Sequence, residues 1–233
     1  VPFRLHGLNR MSKKNKESKF ELLKTVVIAG AIALGFRSFL FEPFNIPSGS
    51  MVPTLLVGDY LFVSKASYGY SRYSFPLSIV PFSGRIFADK PKRGDVAVFR
   101  QPTDTAISYI KRVVGLPGDR IQVKEGVLHI NGEKVQRAYV GLATATNGFM
   151  TIQYKVYKET LPNGSKHLIQ ERSDDDSYDN TAIYYVPEGH YFMMGDNRDN
   201  SRDSRTTAVG MVPAENLVGR ADRLFFSHNG NAR

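Results

Sequence analysis

Twelve consecutive residues without a charge, Thr25–Phe36 (TVVIAGAIALGF), follow a strongly basic opening. As a helix this run would be about 18 Å long at about 1.5 Å per residue, short of the roughly 30 Å hydrocarbon core of a bilayer. Continued through Arg37 to Phe41 it holds 17 residues and reaches about 26 Å. An arginine that close to the end can snorkel to the interface. Two other readings share the signal. One is a cleavable secretory signal, for which Ala29-Gly30-Ala31 and Ala31-Ile32-Ala33 resemble small-x-small cleavage sites. The other is a buried core helix. The apolar run does not stop at Ala33 but resumes with Leu34, Phe36, Phe39, Leu40 and Phe41, which favours a transmembrane anchor over 25–41.

The net charge of +9 invites a nucleic-acid reading, but its distribution argues against one. Up to Lys24 there are seven basic residues against Glu17 and Glu21, so most of the excess sits in one tail, residues 1–24. No nucleic-acid partner is expected. A basic flank of this kind places the tail in the cytoplasm and everything after about Glu42 across the membrane. The opening VPFRLHGLNR precedes Met11 and is assigned no function. With no cysteine in the chain, disulfides, thiolate zinc or iron–sulfur centres and thiol nucleophiles are excluded. Fifteen Phe and twelve Tyr within an apolar fraction of 42% supply the bulk for a real core.

Beyond the anchor the pattern has period two. Asp95–Arg100 and Ser108–Val114 are strand-like runs separated by the turn composition Gln101-Pro102-Thr103-Asp104. Ile121–Val123 and Val127–Ile130 flank Glu125-Gly126, and Asn131-Gly132 marks a second hairpin turn. Gln136–Tyr185 is more polar, with Pro162-Asn163-Gly164 and Asp174-Asp175-Asp176, and reads as an inserted β lobe. The expectation is a mainly β chain: an antiparallel β core from 42–123 and 186–226, an inserted β lobe over 124–185, and one N-terminal transmembrane helix ahead of both. Tyr68–Phe87 is a long aromatic and proline-rich loop suited to a membrane interface or to core packing.

Chemistry has to come from the part beyond the anchor. In Ile46–Leu55 (IPSGSMVPTL) a Ser-Gly-Ser between prolines reads alone as a turn, and a nucleophilic serine needs an adjacent base. Among the histidines, His6 is in the tail, His129 in a hairpin, and His167 and His228 in polar loop or tail sequence. Only His190 stands near an acidic motif, and an ordinary strand-edge position suits it better. A lysine replaces histidine if burial keeps it neutral. In SYIKRVV, period two puts Lys111 on one face with Tyr109 and Val113, and Ile110, Arg112 and Val114 on the other. The commoner role for such a lysine is an exposed edge. The third element, Gly195–Arg205 (GDNRDNSRDSR), alternates Asp and Arg. A calcium loop counted from Asp199 fails, because Ser204 stands where glycine is needed and Gly210 where the bidentate glutamate is needed. A charged hydrogen-bonding loop that braces a site remains.

The segments PSGSMVPTL (47–55), GDYLFVSK (58–65), RGDVAVFR (93–100), YIKRVVGLPGDRI (109–121) and GDNRDNSRDSR (195–205) stand in this order behind the anchor. In them the chain resembles the bacterial type I signal peptidases. The resemblance implies a signal-peptidase-like β fold in the bacterial cytoplasmic membrane, single-pass, with the catalytic domain on the outer, periplasmic side. It implies Ser50 as nucleophile and Lys111, 61 residues downstream, as general base. Ser48 would donate its hydroxyl, with the Ser50 backbone N–H, to the oxyanion. Ser201 would orient the lysine amine, and Asp203 and Arg205 would form a bracing ion pair. Phe44, Ile46, Leu55 and Ile110 would line shallow pockets for small side chains. The implied partners are signal-peptide-bearing precursor proteins, bound extended and cut after small-x-small sites, and the phospholipid membrane; no cofactor or metal is called for. A second span before the serine, present in several relatives, is not visible here, the 124–185 insertion carries no family motif, and Arg202 is assigned nothing. Two other classes compete. A self-cleaving repressor with the same Ser/Lys chemistry would need a DNA-binding helix pair where this chain has its apolar run. A membrane-anchored scaffold would carry inert serines, and acylation that requires Ser50 and Lys111 would separate it from an enzyme.

Overall fold

The computed structural model describes residues 8–75, 81–147 and 150–228. Residues 76–80 of the aromatic loop and residues 1–7 of the basic tail lie outside them. One helix, α1 (Leu8–Phe39), leads the chain. Within its Lys19–Phe39 portion an 18-residue stretch reaches a mean hydropathy of 1.6, and its large apolar side chains, from Phe20 to Phe39, are exposed. At about 1.5 Å per residue that portion is roughly 31 Å long, enough to cross a bilayer. The apolar helix therefore begins earlier than the expected 25–41 and stops two residues sooner. Pro43 explains the stop, because the residue before a proline is steered out of the α region. Phe41 instead opens the first strand, and Arg37 reaches across the junction to Glu42 at 3.0 Å.

Among the described residues fourteen strands follow: β1 (Phe41–Asn45), β2 (Asp59–Ser64), β3 (Val96–Arg100), β4 (Ser108–Gly115), β5 (Arg120–Lys124), β6 (Val127–Ile130), β7 (Glu133–Lys134), β8 (Gln136–Asn147), β9 (Met150–Thr160), β10 (Lys166–Glu171), β11 (Tyr184–Tyr185), β12 (His190–Met194), β13 (Val212–Pro213) and β14 (Leu217–Ser227). They form an antiparallel seven-stranded sheet of order β1-β2-β14-β3-β4-β12-β13, a four-stranded sheet β11-β5-β6-β7 and a three-stranded sheet β10-β9-β8. Both hairpin turns read from the sequence are present. Glu125 and Gly126 (φ 49° and 71°), like Asn131 and Gly132 (57° and 91°), take the left-handed conformations that a two-residue hairpin turn demands.

The large sheet is covered on both faces, so β4 is buried nearly throughout instead of alternating. Ile46, Met51, Leu61, Val63, Val98 and Ile110 form one core. Tyr68, Phe99, Val113, Met193 and Leu217 form another. A third, with Val114, Ile121, Leu128, Leu161 and Phe192, joins β4 and β12 to the four-stranded sheet. That second sheet starts at β5, so the boundary expected between 123 and 124 falls inside a strand whose partners are β6 and β11.

Tyr68 belongs to the core, while Tyr70 and Phe75 of the same aromatic loop pack against Phe39, with ring centroids 5.8 and 5.6 Å apart. The Tyr70 hydroxyl also donates to the Phe39 carbonyl at 2.7 Å, so this loop is tied to the last turn of α1. His167, read as polar loop, is a buried residue of β10. The period of two in that strand turns it inward with Ile169.

Candidate active site

Ser50 lies in a single 3-10 turn, Gly49–Met51, entered from Ser48 in extended conformation. Met51 is fully buried and pins the turn to the core shared by Ile46, Leu61 and Val98. Lys111 comes from β4, paired with Ala97 of β3. Its Nζ stands 2.7 Å from Ser50 Oγ and donates to the Ile110 carbonyl at 2.8 Å. The lysine is 2% exposed. Burial pushes its amine down to about 8, and Asp203 and Asp196 offset only part of that. A substantial neutral fraction near physiological pH follows, which an ordinary lysine lacks. Ser48 Oγ lies 3.4 Å from Ser50 Oγ on the exposed rim.

The Gly195–Arg205 loop braces this pair from beneath. The Asn197 backbone N–H donates to the Ser50 carbonyl at 3.1 Å, and its side-chain amide to the Gly49 carbonyl at 3.0 Å. Gly195 is required by close approach, since a Cβ there would lie 2.6 Å from the Ser50 carbonyl oxygen and would strike the Ser201 side chain. Asp203 accepts from the Gly195 N–H at 3.0 Å and from Arg205 Nε and Nη2, both at 2.9 Å. Burial alone would raise the Asp203 carboxyl, but Arg205 holds it below its usual value. The expected Asp203–Arg205 ion pair is thus in place. Beside Lys111, Arg112 grips Asp196 through two bonds of 2.8 and 2.6 Å. Arg198 grips Glu159 of β9 through bonds of 3.0 and 2.6 Å.

Three sequence expectations need correction. Ser201 does not hydrogen-bond the lysine amine. Lys111 spends its contacts on Ser50 and Ile110, and the buried Ser201 side chain instead lies over Gly195 and beside Asp203, whose carboxyl it helps to hold down. Ile46 and Leu55 do not line the cleft. Ile46 is 1% exposed, held between Gly58 and Asp59 by backbone hydrogen bonds of 2.9 and 2.8 Å, and Leu55 packs against the same core. Arg202, which was assigned nothing, is on the wall. The cleft has a volume of about 470 Å³ and is lined by Phe44, Ser48, Ser50, Ile110, Lys111 and Arg202, among others. His190 is not among them; it opens β12, opposite Pro213.

One edge of the cleft is unpaired backbone. β3 pairs with β4 from Ser108 to Arg112, whereas β12 pairs with it only over Arg112–Gly115. The other edge of Ser108–Lys111 has no strand partner among the described residues, and an extended peptide can add there.

A buried serine hydroxyl thus stands against a buried amine, on the floor of an open groove beside a free strand edge of an antiparallel β scaffold, and the chain is a serine endopeptidase by its kinship. The chain belongs to the signal peptidase, peptidase S26 family, whose model matches residues 19–226. It is 46% identical over 225 residues to signal peptidase I of Rickettsia typhi, a match covering 93% of this chain and 83% of that protein. To signal peptidase I of Rickettsia akari it is 45% identical over 227 residues, covering 94% and 84%. A crystal structure of a signal peptidase I from Enterococcus faecalis V583 matches at 25% identity with a TM-score of 0.34, covering 57% of this chain and 98% of that one.

Proposed function

We propose that this protein is a bacterial membrane-anchored endopeptidase that removes N-terminal signal peptides from secreted precursors, with Ser50 as nucleophile and Lys111 as general base. The observation that carries the reading is the 2.7 Å contact between Ser50 Oγ and an amine that is only 2% exposed. Neutral Lys111 takes the Ser50 proton as Oγ attacks the scissile carbonyl. The Ser48 hydroxyl and the Ser50 N–H hold the charge that develops on the carbonyl oxygen. The Lys111 ammonium then protonates the departing amine, and the same amine, neutral again, activates the water that hydrolyses the acyl-enzyme.

The precursor lies extended along the free edge of Ser108–Lys111, and Phe44 and Ile110 leave room only for small side chains next to the cut. The apolar helix crosses the cytoplasmic membrane with its basic end inside, which puts the β domain on the outer side. Ser50 follows Phe39 by 11 residues, at most about 40 Å of extended chain, so the site works close to the surface where a precursor's cleavage site emerges. Anchoring raises the effective concentration of enzyme at that bond.

The test is detergent-solubilised protein acting on one preprotein, with the new N-terminus read by mass spectrometry. A single cut after a small-x-small site, lost when the residue before the cut is made Phe, is the expected result; cutting elsewhere, or none, would overturn the reading. Ser48→Ala is expected to lower kcat by roughly two to three orders of magnitude with KM little changed, the usual consequence of losing one oxyanion donor. Ser48→Thr should be milder. An unchanged rate for Ser48→Ala would reduce that serine to turn sequence.

A further inference from the structure

We propose that Arg202 is a specificity-determining residue that binds an acidic side chain of the precursor on the mature side of the cut. The inference rests on the reading of this cleft as the peptide-cleaving site. Its starting point is the charge pairing of the 195–205 loop. Asp196 is held by Arg112, Arg198 by Glu159, and Asp203 by Arg205. Asp199 turns to the inserted lobe, where it accepts from the Arg172 and Ser173 N–H groups at 2.6 and 3.0 Å. Arg202 is the exception. Among the described residues it has neither an ion-pair nor a hydrogen-bond partner, it is exposed, and it lines the cleft that holds Ser50 and Lys111. No carboxylate lines that cleft, so no group of the site itself neutralises the guanidinium.

The cleft has two kinds of wall. Phe44 and Ile110 are apolar and flank the free edge of β4, which suits the apolar signal segment. Asn200 and Arg202 form a polar wall on the loop that Asn197 ties to the carbonyls of Gly49 and Ser50. On the proposed path the substrate runs from the apolar wall across Ser50 to the polar one, which sets the residues just after the cut against Arg202. A guanidinium there presents a fork of N–H donors that matches a carboxylate, and a lysine side chain would be repelled. The neighbouring Asp and Arg residues hold the loop, and Arg202 reads the substrate.

The experiment uses the full-length protein in detergent and synthetic peptides with a small-x-small site, identical except for Glu, Gln or Lys at each of the first three mature positions, and for Glu or Gln at the position two before the cut. For the native enzyme, kcat/KM is expected to favour Glu over Gln by about fivefold at one or more mature positions, as befits a partly exposed ion pair. The preference should shrink in 1 M NaCl, where the screening length falls to about 3 Å. R202A should abolish the Glu/Gln difference, R202K should keep part of it, and R202E should turn it into a preference for Lys. A Glu/Gln ratio that is the same in native, R202A and R202E proteins would overturn the proposal, as would a preference confined to the signal side. No Ser50-dependent cleavage of the Gln peptide would instead overturn the reading of the cleft itself.

Discussion

Ser50→Ala, Lys111→Ala and Lys111→Met proteins are expected to fold and yet to cut precursors at least about 10⁴-fold more slowly than the native enzyme, with the double variant little worse than either single one. On the proposed mechanism the two side chains act as one unit, since a serine hydroxyl is a poor nucleophile without a base and the amine has no other proton to take. The pH dependence follows from the lysine. Burial brings its amine down to about 8, and only the neutral form can accept the Ser50 proton. Native kcat/KM should therefore rise with pH to a plateau above about 8 instead of peaking near 7. The same group predicts a stability effect of the same sign, displaced to higher pH. Between about 8 and the ordinary lysine value of 10.5, the unfolded chain binds more protons than the folded one, so stability climbs with pH across that window. At pH 7 the full cost of burying the ammonium is present. Lys111→Met removes it and should raise stability by up to about 3 kcal/mol at pH 7, a gain that fades towards pH 10. Cleavage and thermal unfolding of one preparation check both expectations. Brisk cleavage by folded Lys111→Ala would move the base elsewhere. His190→Ala should be harmless, because that ring lies against the Glu188 carbonyl at 2.9 Å and is not on the cleft wall.

What could be read from the sequence was local. Glu125-Gly126 and Asn131-Gly132 announce their turns because left-handed backbone restricts the residues that fit there. The alternation in SYIKRVV separates Lys111 from Arg112 because strand geometry alone sends neighbours to opposite faces. The end of α1 is not legible because apolarity does not distinguish a helix from an aromatic strand such as β1, and its start is not because a helix continues through charged residues that carry no apolar period. The bracing of the site was illegible for a different reason. Arg112 meets Asp196 across 84 residues and Arg198 meets Glu159 across 39, and no periodicity connects such partners. His167 looked like loop until β10 buried it. Arg202 looked dispensable because its significance lies in having no partner, which only the finished packing of its neighbours reveals.

Arg198→Met is expected to destabilise the protein by about 3–5 kcal/mol at neutral pH, the usual penalty for leaving a buried carboxylate without its partner. Both members of the pair are almost fully buried, Arg198 at 3% and Glu159 at 1% exposure. Burial alone would raise the Glu159 carboxyl, but Arg198 and His167 hold it down at about 2. The native protein therefore keeps this contribution above about pH 4.5 and loses it as pH falls towards 2. Without the guanidinium, burial takes over, the carboxyl moves upward, and protonation relieves the cost, so the deficit of the variant should shrink as the pH is lowered from 7 to 5. Adding Glu159→Leu to Arg198→Met should recover most of the loss, because two apolar side chains replace a buried carboxylate left with only His167, 3.2 Å away, beside it. Activity should fall along with stability. The Arg198 N–H donates to the Gln170 carbonyl and the Gln170 N–H to the Asp196 carbonyl, both at 2.9 Å, while the Arg198 carbonyl accepts from Arg205 at 2.6 Å. Through these bonds the three-stranded sheet holds the loop on which Asn197 secures Ser50, and a displacement of about 1 Å at the proposed nucleophile can cost on the order of a hundredfold in rate. Denaturant unfolding at pH 7 and pH 5, with kcat measured alongside, decides the matter. A single variant as stable as the native protein, or a double variant no better than the single, would show that the pair does not join the lobe to the site.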